Sequence, residues 1–176
     1  MPDWQEILSR DGPAAWQTAY RLLGNRADAD ECFQEACLAA LEFSRRQDVH
    51  NWRGLLQRLA TSRSVDRLRL RHRQKRSSSP SGWQELRDDS PSPLQNAEEA
   101  ELADRLREVL TQLPPKQAQA FCLHCIEDWS YQETACQMAI SIDAVGVLVH
   151  RARKRLHQLL AAFHESRPTS LRKDVS

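Results

Sequence analysis

The chain has 176 residues, of which 28% are charged, yet its formal net charge is only +1. No apolar run approaches the ~20 residues of a membrane-spanning helix, and the start Met1-Pro2-Asp3-Trp4 lacks the basic and apolar parts of a secretory signal, so we expect a cytoplasmic protein without membrane insertion. Five cysteines favour reduced thiols over a disulfide framework, and only five glycines with no long alternating apolar run disfavour a β-rich fold.

The small net charge conceals a separation of charge along the chain. Residues 1–44 carry three basic and eight acidic side chains, a net charge of −5, whereas residues 45–76 carry eleven basic and two acidic ones, a net charge of +9. A dense basic segment beside an acidic one is typical of a protein that binds a polyanion, most simply nucleic acid. The alternative for the basic segment is a solvated helix end.

Apolar residues at a spacing of three and four predict helices in the first part of the chain. The first covers about 13–23 and ends at Gly24, a residue tolerant of left-handed geometry. The second covers about 28–43, with Asp28 as its N-cap. The third covers about 51–74, and its second half is nearly all arginine, whose planar guanidinium suits phosphate.

A change of composition divides the chain. Residues 73–96 contain three prolines and a serine cluster, which predicts a flexible linker. This linker separates a helical domain at 1–72 from a second one at 97–164, and residues 165–176 are predicted to be a disordered tail.

The second domain has the signals of a helix-turn-helix. We predict helices over 97–113, from Pro114-Pro115 onward, over 131–138, and from the N-cap Ser141 onward, the last with Ile142 in its apolar stripe. Ser130 and Glu133 form a capping box. A short helix, a tight turn and a longer helix that becomes basic are typical of this motif. The predicted fold is therefore all-α, with two small helical domains joined by a flexible linker.

The cysteines and the polar motifs do not favour catalysis. Cys122 and Cys125 are spaced like half a zinc site, but they share an apolar stripe with Phe121 and Ile126, and no second ligand pair follows. Core packing is the favoured interpretation. The sequence contains no glycine-rich phosphate loop, no HExxH motif and no recognisable nucleophile context. We expect neither an enzyme nor a metal or cofactor.

Three motifs follow one another in a fixed order. They are DADECFQE at 28–35, DRLR at 66–69, and the series LPPKQ, EDWSYQE and HRARKRL within 113–156. With their surroundings they resemble the extracytoplasmic-function (ECF) sigma factors of bacterial RNA polymerase. The resemblance implies a promoter-specificity subunit that binds core RNA polymerase and promoter DNA. An anti-sigma factor is a further candidate partner.

The resemblance also implies roles for particular residues. Contacts with the clamp helices of the polymerase β′ subunit are implied for Asp30, Glu31, Gln34, Glu35 and Leu38. Contacts with the −10 region, where a base leaves the stack, are implied for Arg45, Arg46, His50, Asn51, Arg58, Thr61, Ser62, Asp66, Arg67, Arg69 and Arg71. The second domain resembles the one that binds the β flap, and −35 contacts are implied for Ser141, Asp143, Ala144, Val147, His150, Arg151 and Lys154.

The chain departs from the family pattern in the predicted recognition helix. Gly146, Val147 and Leu148 stand where the family usually has polar residues, so we expect weak base readout there. Two alternatives therefore stay open. One is a sigma-like interaction protein that binds polymerase or an anti-sigma factor without directing initiation. The other is a dimeric helix-turn-helix regulator that binds duplex DNA alone.

Overall fold

The fold is given by a computed structural model that describes residues 2–77 and 97–165. Within these two stretches the chain forms helices and turns and no strand, so the predicted all-α class is confirmed. Most of the predicted linker (78–96) and of the predicted tail (166–176) lies outside the described residues. The last helix before the gap runs into the predicted linker as far as Ser77.

Three helices form the first helical unit: α1 (Trp4–Leu23), α2 (Arg26–Ser44) and α3 (Trp52–Ser77). Helix α1 begins well before the predicted residue 13, because the Asp3 carboxylate accepts the N–H groups of Gln5 and Glu6 at 3.0 and 3.2 Å and so caps its first turn. Pro13 lies inside this helix and does not end it.

The junction of α1 and α2 shows one confirmed and one wrong prediction. Gly24 adopts the left-handed conformation (φ 72°) and ends α1, as predicted, with its N–H donating to the Tyr20 carbonyl at 2.8 Å. The N-cap of α2 is Asn25 and not Asp28. Asn25 has the extended backbone that an N-cap requires, and its side-chain oxygen accepts the Asp28 N–H at 2.9 Å.

The second helical unit consists of α4 (Ala97–Leu110), α5 (Pro115–Phe121), a π-helical turn (Cys122–Ile126), α6 (Tyr131–Met138) and α7 (Ile142–Glu165). The capping box is confirmed, since Ser130 Oγ accepts the Glu133 N–H at 3.1 Å and the Glu133 carboxylate accepts the Ser130 N–H at 2.7 Å. The hydrogen bonds that the Glu133 carboxylate accepts from Ser130, first of all from its N–H, hold the pKa of Glu133 below its usual value. Ser141 caps α7, and α4 ends three residues earlier than predicted.

Four of the five cysteines lie at buried or half-buried positions, and Cys136 is exposed. Cys32 and Cys122 are fully buried, which for Cys122 confirms the core-packing interpretation. Burial raises the pKa of Cys37 to about 11 and the pKa of Cys122 far above its usual range. The described residues contain no cluster of three or more side chains able to hold a metal ion.

Four apolar cores lie within or between the units in the described part of the chain. In the first unit Leu55 and Leu56 of α3 pack with Ile7 of α1, and in the second unit Val145 and Val149 pack with Ala120. Another core crosses between the units and joins Leu22, Val65, Val109, Leu110, Leu113, Ala118, Cys122, Ala152 and Leu156. The two units therefore share buried apolar surface. No helix in the described part of the chain is long and apolar enough to cross a membrane.

Ala139 ends α6 in the left-handed conformation (φ 53°, ψ 45°), which costs an L-residue about 1 kcal/mol. We expect Ala139→Gly to raise the free energy of unfolding by up to about 1 kcal/mol, measured by denaturant unfolding of the full chain. Ala161→Gly, at an exposed position of α7, is the matched control and should lower it by up to about 1 kcal/mol. Changes of the same sign at both positions would contradict this prediction.

Candidate functional surfaces

Helix α2 presents polar and apolar side chains on one exposed face. Asp30, Glu31, Gln34 and Leu38 follow at helical spacing and are exposed, and Glu35 beside them is half-buried. Leu38 is 62% exposed. We call these five residues the α2 face. An exposed leucine framed by an amide and carboxylates is a surface suited to a protein partner, with an apolar centre and a polar rim.

Acidic residues of α2 are ion-paired with arginines of α3. Arg67 lies 2.9 Å from the Glu31 carboxylate and 3.4 Å from that of Glu35, and Arg71 pairs with Asp28. The Arg67 side chain is only 20% exposed, so water screens these pairs less than it screens surface pairs. Arg67 and Arg71, both predicted to contact DNA, therefore bind carboxylates in this structure and hold α3 against α2.

The segment between α2 and α3 carries exposed basic and polar groups. Arg45, Arg46 and His50 are exposed, and guanidinium groups at such positions suit phosphate. Asn51 is exposed too, and its side-chain oxygen accepts the Gly54 N–H at 2.8 Å, so it caps α3. Further along α3, Asp66 is exposed and Ser62 is half-buried.

Another side of α3 is covered. Thr61 is fully buried, and its hydroxyl donates to the Gln57 carbonyl at 2.9 Å, so the prediction that Thr61 faces DNA does not hold in this structure. Arg69 donates to the Leu113 carbonyl of the second unit. Arg58 is half-buried, its Nε has no hydrogen-bond partner among the described residues, and burial lowers its pKa. Val65, one turn from Thr61, belongs to the core that the two units share, so the second unit packs against this side of α3.

The start of α7 forms a shallow groove with α6. The predicted contact residues Ser141, Asp143, His150, Arg151 and Lys154 are exposed, and Ala144 is half-buried. Val147 is 47% and Ile142 50% exposed, and both line the groove with Tyr131 and Gly146. The prediction that Ile142 lies in the core is wrong, because Ile142, in the first turn of α7, is half exposed and lines the groove with Tyr131. Tyr131 and Ile142 are surface residues that the sequence did not predict.

Family models match both halves of the chain. The model of sigma-70 region 2 matches residues 7–74, which include the α2 face and all but the last arginine of α3. The model of sigma-70 region 4 matches residues 103–156, which include α6 and the exposed start of α7. The chain belongs to the sigma-70 family. Region 2 precedes region 4, which is the order that the sequence motifs predicted.

A curated sigma-70 relative narrows the assignment. The ECF RNA polymerase sigma factor SigE of Mycolicibacterium smegmatis is 29% identical over 161 residues, which is 92% of this chain. The chain spans 63% of the length of that relative. This likeness, together with the two matched regions, confirms the predicted resemblance to ECF sigma factors.

Solved sigma-factor structures share the fold. The sigma factor RpoE of Bartonella quintana, solved with the anti-sigma factor NepR, aligns with a TM-score of 0.55 at 21% identity, covering 92% of this chain and 98% of that one. CnrH, solved with the cytosolic domain of CnrY, aligns with a TM-score of 0.55 at 23% identity, covering 90% and 87%. The all-α architecture of this chain is thus that of sigma factors.

Proposed function

We propose that this sigma-70 family chain is a promoter-specificity subunit, which binds core RNA polymerase and directs transcription initiation without being an enzyme. The observation that carries the proposal is the succession of region 2 and region 4 in one chain. An exposed apolar and polar helix face lies in the first region, and a helix-turn-helix with a basic second helix lies in the other. Such a chain has separate surfaces for protein and for DNA.

The α2 face is the proposed contact with the clamp helices of the β′ subunit. Leu38 supplies exposed apolar area at the centre of this face, and Gln34 and Glu31 lie beside it with exposed polar groups. Apolar area that becomes fully covered contributes most of the affinity of a protein interface, whereas its polar rim contributes mainly specificity. Docking by this face needs no movement of α2, because its exposed side chains already point outward.

The segment from Arg45 to Asn51 is the proposed contact with the −10 element. The exposed guanidinium groups of Arg45 and Arg46 can bind the phosphates of a melted strand. His50 and Asn51 are exposed beside them and can contact a base that has left the stack. Unstacking a base costs a few kcal/mol, which the phosphate and base contacts must offset.

Helix α7 is the proposed contact with the −35 element, and the second unit is the proposed partner of the β flap. Arg151 and Lys154 are exposed and can bind backbone phosphates, which position a helix without reading sequence. Val147 and Ile142, which line the groove, offer methyl groups and no hydrogen-bonding groups, so neither side chain can make the bidentate contact that reads a base. We therefore propose that −35 readout by this chain is weak.

An anti-sigma factor is a further proposed partner. RpoE of Bartonella quintana was solved with the anti-sigma factor NepR, and CnrH was solved with the cytosolic domain of CnrY. The shared fold supports an equivalent regulator for this chain.

The proposed function predicts that promoter DNA binding depends on polymerase. In fluorescence anisotropy with a labelled promoter fragment, we expect little binding by the chain alone and saturable binding when core RNA polymerase is added. A dimeric helix-turn-helix regulator would give the opposite pattern, with tight binding to a palindromic duplex and no effect of polymerase. That pattern would contradict the proposal.

A further inference from the structure

One side of α7 carries an apolar residue between charged ones. Asp143, Val147, Arg151 and Lys154 are three or four residues apart and therefore share this side of the helix, and all four are exposed. The opposite side of the helix carries core residues, which are Val145, Val149, Ala152 and Leu156. Val147 thus lies in the middle of the outward side of α7, one turn before the first of two exposed cations.

An apolar groove with a well-supported wall lies beside Val147. Ile142 and Val147 line it together with Tyr131 and Gly146. A Cβ built on Gly146 would lie 3.7 Å from Cε2 of Tyr131, so the tyrosine ring packs across this glycine. The same ring contacts that of His124 with the ring centroids 4.4 Å apart, and His124 Nδ1 is hydrogen-bonded to a backbone carbonyl at 2.6 Å. The groove is therefore formed before any partner binds.

The chemistry of the groove fits the edge of a thymine base. In the major groove thymine presents a C5 methyl group, which apolar side chains recognise by contact. The branched side chains of Val147 and Ile142 and the ring of Tyr131 offer carbon atoms for such a contact. A purine would instead turn its N7 acceptor toward these side chains, and the acceptor would lose water without gaining a donor.

Exposed cations on the same side of α7 favour DNA over a protein as the occupant of the groove. Arg151 and Lys154 follow Val147 by one and two turns, and Arg155 is exposed beside them. Phosphate contacts from such groups fix the position of a helix on the duplex without reading its sequence. Asp143, one turn before Val147, repels phosphate, which favours base edges over the backbone at the start of α7.

We propose, resting on the proposed function, that this chain reads the −35 element through thymine methyl groups. Val147 is the specificity-determining residue, and Ile142 and Tyr131 form the wall against which a methyl group packs. Each methyl group that is buried changes affinity by about fourfold, which corresponds to about 0.8 kcal/mol per buried carbon. This discrimination is smaller than that of a bidentate hydrogen-bonded contact, in agreement with the weak −35 readout proposed above.

Replacing thymine by uracil in the DNA tests the proposal, because deoxyuridine lacks only the C5 methyl group and pairs with adenine in the same way. The probe is a labelled promoter fragment on which core polymerase with this chain initiates, with every thymine of the −35 region replaced on both strands. We expect the affinity of the polymerase complex, measured by fluorescence anisotropy, to fall about fourfold for each methyl group contacted. The same number of replacements in the spacer before the −10 element should leave the affinity unchanged.

Two variants of the chain separate base readout from phosphate binding. Val147→Ala removes two methyl groups from an exposed position, so it should bind the thymine and uracil fragments with nearly equal affinity. Lys154→Gln should weaken binding to both fragments by the same factor and keep their ratio, because a phosphate contact does not read the base. A thymine-to-uracil ratio that Val147→Ala leaves unchanged would overturn the assignment of readout to Val147.

The outcomes separate this proposal from the proposed function. If the polymerase complex initiates but binds the thymine and uracil fragments equally, the methyl-readout proposal is overturned and the proposed function stands. If, in addition, Val147→Ala weakens binding to core polymerase in the absence of DNA, the groove is a protein contact instead. If core polymerase gains no start site from the chain, the proposed function fails and the methyl-readout proposal falls with it.

Discussion

Leu38→Lys should weaken the binding of this chain to core RNA polymerase on the order of tenfold or more, as expected when a central interface residue is lost. Leu38 is the most exposed large apolar residue of the α2 face, and the substitution replaces its apolar contact with a charge that must be desolvated on docking. The measurement is a titration of fluorescently labelled chain with core polymerase. Thermal unfolding should change little, because an exposed side chain contributes little to stability.

Leu70→Lys is the control for this prediction. Leu70 lies on α3, in the same helical unit but outside the α2 face, and is a surface leucine with 41% exposure. The same substitution at this position should leave polymerase affinity unchanged. Equal weakening by both variants, or by neither, would remove the polymerase contact from the α2 face.

Arg45→Gln with Arg46→Gln should reduce open-complex formation and flatten its dependence on salt. Each phosphate contact with a single strand contributes about 0.7 to the slope of log affinity against log salt, so the loss of two contacts should lower the slope by about 1.4. The slope is measured by titrating labelled promoter with the polymerase complex at several salt concentrations. Both arginines are exposed, so the folded chain should be unaffected.

The control for the salt experiment is Arg26→Gln with Lys116→Gln, which removes the same charge at two exposed positions outside the proposed DNA surface. It should leave the slope unchanged. If the variant with Arg45→Gln and Arg46→Gln keeps the original slope, this part of the basic segment is a solvated surface and not a DNA contact. Arg67 and Arg71 are less suitable for this test, because both hold carboxylates of α2 and their removal would also destabilise the first unit.

Local signals in the sequence predicted much of the fold. Ser130 and Glu133 gave the start of α6, and Gly24 gave the end of α1, because a capping residue acts within one turn of the helix. The predicted N-cap of α2, Asp28, was wrong. Asn25 rather than Asp28 caps α2, because the backbone after Gly24 is extended at Asn25, as an N-cap requires.

Contacts between distant parts of the chain were not predictable in this way. Arg107 donates to the Leu22 carbonyl, and the amino-acid sequence does not show which backbone carbonyl a distant side chain will bind. Thr61 is fully buried, and a residue's local surroundings in the sequence do not reveal a surface covered from elsewhere. The charges of Glu31 and Arg67 were evident, but their pairing depends on how α2 and α3 pack.

The most direct measurement of the central claim is transcription in vitro by purified core RNA polymerase on a library of genomic fragments, with and without this chain. We expect the chain to co-purify with the core and to add a reproducible set of transcription start sites that the core alone does not use. Leu38→Lys should reduce that set and Leu70→Lys should not. A core polymerase that neither retains the chain nor gains any start site from it would contradict the account.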